Sequence, residues 1–131
     1  DYVGLLDALL FRLEADSAQE IIATWAKRSI RMAMPELLSK VHSDNDVVGR
    51  LFSSACYITD SWPSVLYLAY KYGEKPKAGL LANANLGGDN VHRGTVLGAI
   101  LGLATNNIPN ELYDELLDKD LIEEEIAVLL N

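Results

Sequence analysis

An all-α domain of about seven or eight short helices is the fold this sequence predicts, and three observations predict it. Apolar residues recur at three- and four-residue spacing in nearly every segment. Alternation of apolar and polar residues never persists beyond a few positions, so strand signals are missing. Proline, glycine and Asp/Asn/Ser punctuation divides the chain at intervals that suit short helices. At 131 residues, 50% of them apolar, the chain is the size of one ordinary domain and can bury a real core.

From Tyr2 to Glu14 a broad apolar stripe (Val3, Leu5, Leu6, Leu9, Leu10, Leu13) predicts the first helix. Asp16 or Ser17 starts a second, with Glu20 placed for a capping box. Ile21, Ile22, Trp25 and Ile30 form its apolar side, while Lys27, Arg28 and Arg31 give a basic, solvated one. Pro35 separates this helix from a short continuation over Glu36 to Val41. Ser43-Asp44-Asn45-Asp46 is the next break. Its Asp44-x-Asp46-x-x-Gly49 spacing echoes a calcium loop, but Val48 and Ala55 stand where oxygen ligands belong, so it reads as helix capping. A helix over Val47 to Tyr57 is expected to bury Leu51, Phe52, Ala55 and Cys56.

Thr59-Asp60-Ser61-Trp62-Pro63 reads as a helix start, with Ser61 as N-cap and Pro63 in the first turn. That helix runs to Gly73, and Pro76 opens another through Ala84. Leu86-Gly87-Gly88-Asp89-Asn90-Val91-His92-Arg93-Gly94 then reads as a tight glycine turn feeding a helix, capped by Asp89 or Asn90. A helix N-terminus carries unpaired N–H groups and partial positive charge, which suits a phosphate. Gly94, Gly98 and Gly102 share one face of this helix at a cost of roughly 1 kcal/mol each, which implies close packing against it. Asn106 and Asn107 end it and Pro109 begins the tail. There Leu112, Leu116, Leu117, Leu121, Ile122, Ile126 and Leu129 give an inward side opposite a solvated acidic run.

Lys plus Arg number 11 against 19 for Asp plus Glu, a formal charge of −8, which disfavours nucleic acid as a partner. No apolar run reaches membrane-spanning length and no signal peptide is recognisable, so no membrane partner is expected. The single cysteine, Cys56, excludes an internal disulfide and fits a reducing, cytoplasmic setting. The chain does not begin with methionine, so the expectation is a processed polypeptide or a piece of a longer one.

Spacing alone gives little chemistry. His42 and His92 are far apart, neither has a second ligand at helical spacing, and HExxH, CxxC, P-loop and nucleophile-elbow patterns are missing. Asp89 is the one carboxylate beside a functional-looking helix start, with His92 one turn on. The same pair also reads as a simple cap and a surface histidine.

The stretch Asp60-Ser61-Trp62-Pro63-Ser64-Val65-Leu66-Tyr67-Leu68-Ala69 resembles a "D-S-x-P-x-x-L-Y-L-A" helix. Asn85-Leu86-Gly87-Gly88-Asp89 and Gly98-Ala99-Ile100-Leu101-Gly102 then follow the pattern "N-x-G-G-D-T-D-T" and a helix ending "G-A-x-x-G". In this order and at these distances they resemble the C-terminal part of the ADP-ribosylglycohydrolase family, over roughly Ser54 to Leu117. The resemblance implies that residues 1–131 are one all-helical domain, the C-terminal segment of a larger fold of that type. It further implies a two-magnesium centre and metal-assisted hydrolysis of ADP-ribose linkages. The partner implied is an ADP-ribose-type small molecule or an ADP-ribosylated protein, with a missing N-terminal part or another copy of the chain to complete the site.

Of the family's metal ligands in this motif only Asp89 carries over. Asn90 stands at the first threonine, Val91 replaces the second aspartate and His92 replaces the last threonine. The family's other acidic ligands lie in the N-terminal part of its fold and have no counterpart here. Valine offers magnesium nothing, and imidazole better suits another divalent metal such as zinc. Gly87, Gly88, Asn90, His92 and Arg93 are the expected ligand contacts, Arg93 through a phosphate. Three readings follow: a hydrolase that is active when the fold is complete, a non-catalytic relative binding a nucleotide or phosphate, and a structural or interaction domain.

Overall fold

A computed structural model describes residues 34–40, 43–106 and 109–130. The expected helices over Tyr2 to Glu14 and after Ser17, the basic cluster of Lys27, Arg28 and Arg31, and His42 lie outside the described residues. Seven helices follow in order: α1 Met34–Lys40, α2 Asp44–Val47, α3 Ile58–Tyr72, α4 Pro76–Asn85, α5 Asn90–Thr105, α6 Asn110–Tyr113 and α7 Lys119–Leu129. Among the described residues there is no strand beyond one isolated bridge, Val48 to Phe52, so the all-α expectation holds. No helix among them is long and apolar enough to cross a membrane.

The core is the meeting of α3, α4 and α5. Val65, Leu66, Tyr67, Leu68 and Ala69 of α3 are all buried, an unbroken run rather than a stripe, because the helix is covered on more than one side. Leu97, Ile100 and Leu101 of α5 face it, and Leu37, Val47 and Val48 close the far side. Asp44 ties α2 to this core. Its Oδ1 accepts from Tyr67 Oη (2.8 Å) and Lys71 Nζ (2.5 Å), and its Oδ2 from Tyr72 Oη (2.7 Å). Burial alone would raise the Asp44 pKa, but these donors together hold it below the usual carboxylate range, so the group stays ionised. The same contact, together with burial, pushes the Tyr67 phenol up to about 12. Asp44 and Asp46 therefore serve protein donors, Asp46 accepting from the Ser43 N–H and Oγ–H, as the capping interpretation expects.

Three boundaries differ from expectation. The helix over Val47 to Tyr57 does not form: α2 ends after Val47, Val48 is extended, and Gly49 at φ +123° cannot continue a right-handed helix. Backbone bonds from Leu51 to Asp46 and from Phe52 to Val47 fold the segment back on itself. Cys56 consequently lies exposed in a loop instead of packing in the core. The next helix starts at Ile58, one turn before Ser61, because Asp60 in its first turn accepts from the Ser53 N–H (3.1 Å) and anchors the preceding loop. Pro63 thus sits inside α3, near its start. The third difference is the tail. It is broken into α6 and α7, the acidic side chains are exposed as expected, but the apolar side of α7 is open too, Leu129 being 84% exposed.

The glycine helix is close-packed only in part. A Cβ on Gly94 would stand 3.0 Å from Asn83 Nδ2 and one on Gly98 3.6 Å from Leu80 Cδ2, whereas Gly102 has open space. Close packing is also found at Gly79 of α4, where a Cβ would stand 2.9 Å from Leu101 Cδ1 of α5 and from Tyr72 Cβ of α3.

Candidate functional site at the glycine turn

The site lies where α4 hands over to α5. Leu86 ends α4, and Gly87 (φ +64°) and Gly88 (φ +62°) take the left-handed conformation that lets the chain reverse within two residues. Gly88 is needed twice over, because a Cβ there would collide with the Ser54 backbone and side chain. The Asp89 N–H donates to Ser54 O (2.9 Å), stitching the turn to the loop before α3. Asp89 occupies the N-cap position of this 16-residue helix but makes no side-chain cap bond, so its carboxylate does not serve the first N–H groups of α5. Its carboxylate turns instead to His92, with 2.5 Å between Oδ1 and Nδ1. His92 is largely exposed.

Beneath the turn lies a buried polar brace. Asn83, on the last turn of α4, donates from Nδ2 to Asn90 O (2.7 Å) and accepts at Oδ1 from Arg93 Nε (3.1 Å). Arg93 is 1% exposed, and it further donates from Nη1 to Ser54 O (3.0 Å) and from Nη2 to Gly87 O (2.6 Å). One side chain therefore holds three separate segments together. Burial lowers the Arg93 pKa and the nearby Asp89 carboxylate opposes that shift, while a guanidinium stays charged throughout. The Asn90 side chain is also spent on the fold, donating from Nδ2 to Ala84 O (2.9 Å). Val91 points away, 72% exposed.

Above the brace opens a cleft of about 330 Å³ between α3 and the start of α5. Asp89, His92, Arg93 and Val96 form one wall, and Ile58, Ser61, Trp62 and Val65 the other, with Cys56 at the edge. An indole beside a carboxylate, an imidazole and a hydroxyl makes a mostly apolar groove with a few polar handles, the usual make-up of a small-molecule site. Of the residues singled out from the sequence, Asp89, His92 and Arg93 line this cleft, Gly87 and Gly88 shape the turn below it, and Asn90 faces the Ala84 carbonyl. Ser54, Asn83 and the cleft-facing role of Cys56 were not legible. Among the described residues, no group of three or more His, Cys, Asp or Glu side chains is placed to hold a metal ion.

A family model described as ADP-ribosylglycohydrolase matches residues 3–131. No curated protein matches the chain. No solved structure matches it either.

Proposed function

The chain belongs to the ADP-ribosylglycohydrolase family, and we propose that its cleft between α3 and α5 receives an ADP-ribose-type ligand. The observation that carries this reading is the position of the cleft: it opens directly over the turn that resembles the family's metal-binding motif, with Trp62 on the facing wall. The reaction is hydrolysis of an N- or O-glycosidic bond to ADP-ribose when the complete fold is present. In this reading the uncapped N–H groups of α5 and the Gly87–Gly88 backbone meet the diphosphate. Asp89 and His92 offer hydrogen bonds to ribose hydroxyls, and Trp62 covers a planar ring. Arg93 acts from beneath, keeping the turn in register through Ser54 and Gly87.

Members of this family are generally metal-dependent. The donors on this turn do not fit a magnesium pair: one carboxylate, one amide oxygen, a valine and an imidazole. That same observation favours a second reading, a relative that binds the ligand without turnover.

Calorimetric titration of ADP-ribose into the full chain tests the proposal, alongside an assay for release of ADP-ribose from an ADP-ribosylated peptide. Binding that weakens about tenfold or more in His92→Ala, an exposed position whose loss spares the fold, supports the cleft. Release of ADP-ribose then selects the hydrolase and its absence the binding relative. No binding, or equal binding by wild type and variant, removes the proposal.

A further inference from the structure

We infer that the Asp89 carboxylate, bonded to the chain's own His92 and the only carboxylate on the turn, leaves the Gly87–Arg93 turn without a magnesium ion. This concerns the same cleft and rests on the family membership of the turn, not on whether ADP-ribose binds there.

Magnesium asks for close to six hard oxygen donors in near-octahedral order. The turn supplies one carboxylate, and its Oδ1 already accepts from His92 Nδ1. A metal at Oδ1 would compete with that hydrogen bond, and Oδ2 by itself is one donor of the six. The neighbouring positions add little, since the Asn90 amide, whose Nδ2 donates to the Ala84 carbonyl, offers a single oxygen and Val91 has no donor atom. His92 adds nitrogen, which magnesium does not favour over water.

Electrostatics points the same way. The three hydrogen-bond partners of the Arg93 guanidinium are neutral oxygens, those of Asn83, Ser54 and Gly87. A buried cation with only neutral partners gains from a nearby anion, and Asp89, four residues back on the same turn, is the carboxylate that stabilises its charged form. A divalent ion placed on Asp89 would sit near this fixed positive charge in a partly dehydrated site, where repulsion is poorly screened. Arg93 cannot swing away, because its three hydrogen bonds hold the turn itself.

The experiment uses Mn2+ as a paramagnetic stand-in for Mg2+ and the wild-type chain, so it needs no variant to fold. Substoichiometric Mn2+ is added to isotope-labelled protein and the loss of amide signals is followed residue by residue. The expected result is that signals from 87 to 92 persist while broadening, where it occurs, is confined to other carboxylates such as those of the acidic tail. Selective early loss of the Gly88, Asp89 and Asn90 amides would overturn the inference. Asp89→Asn gives the matching affinity test: Mn2+ binding should be unchanged within about twofold, and a fall of about tenfold or more contradicts the proposal.

Discussion

Replacing Arg93 by methionine removes the brace while keeping most of the aliphatic stem in place. Three acceptors lose a donor: Asn83 Oδ1, Ser54 O and Gly87 O. They are not equal. Ser54 O keeps the Asp89 N–H, and Gly87 is half-buried, so water can reach it. Asn83 is 3% exposed, and its oxygen would lose the Arg93 Nε donor. A buried unsatisfied acceptor costs about 1–3 kcal/mol, and partial losses at the other two add about as much again. Against this stands the relief of no longer burying a guanidinium, which is worth a few kcal/mol in the opposite direction. With the gross cost centred on about 4 kcal/mol and the relief on about 2, the expected net loss is about 2 kcal/mol, read as a shift in the urea midpoint of the helical signal at 222 nm with an unchanged slope. Arg93→Lys keeps the charge but offers its N–H groups from a single nitrogen, which cannot span all three acceptors, and should fall between the two. A loss under about 0.5 kcal/mol in Arg93→Met, the level of an ordinary surface change, would refute the assignment of Arg93 as a structural brace.

Gly88→Ala should destabilise by more than about 2 kcal/mol, adding a collision with Ser54 to left-handed backbone strain, while Gly87→Ala, with open space around it, should cost only the strain of about 1–2 kcal/mol; denaturation of both variants measures the difference. Because Asp44 has a lowered pKa in the folded chain, its contribution is fully present above the unfolded value of about 3.9 and is lost as pH falls through the lower folded value. Asp44→Asn should therefore flatten the acid limb of the stability–pH curve below about pH 4, and an acid limb identical to wild type would remove Asp44 as its source. Thiol labelling of Cys56 in the native chain should proceed at a rate close to that of the urea-unfolded protein, since the residue is exposed; protection by about a hundredfold or more would put it back in the core.

The parts of this fold legible in the sequence are those set by local backbone chemistry. Gly87 and Gly88 adopt the positive φ their lack of a side chain permits, Pro76 opens α4, Gly73 follows α3, and Asn106 ends α5 in the left-handed region at φ 46°. What failed depends on distant partners. Leu51, Phe52 and Cys56 have helical spacing, yet Gly49 and the bond between Ser53 and Asp60 pull that segment into a loop. The spacing of Leu121, Ile122 and Ile126 marks an apolar side without showing what, if anything, lies against it. For Arg93 the sequence showed a place on the turn and not its burial. An arginine after a glycine turn reads as a phosphate contact, and its burial follows from Ser54, 39 residues away, and Asn83, 10 residues away. The turn was legible; the brace that holds it was not.

The measurement that tests the central claim most directly is an NMR titration of the full chain with ADP-ribose, following the Trp62 indole N–H and the amides of 87 to 92. Trp62→Phe assigns the indole signal apart from that of Trp25. The account predicts that these signals shift together and saturate as one binding event, with the acidic tail unmoved. Saturable shifts located elsewhere, or none in the cleft at millimolar ligand, would contradict it.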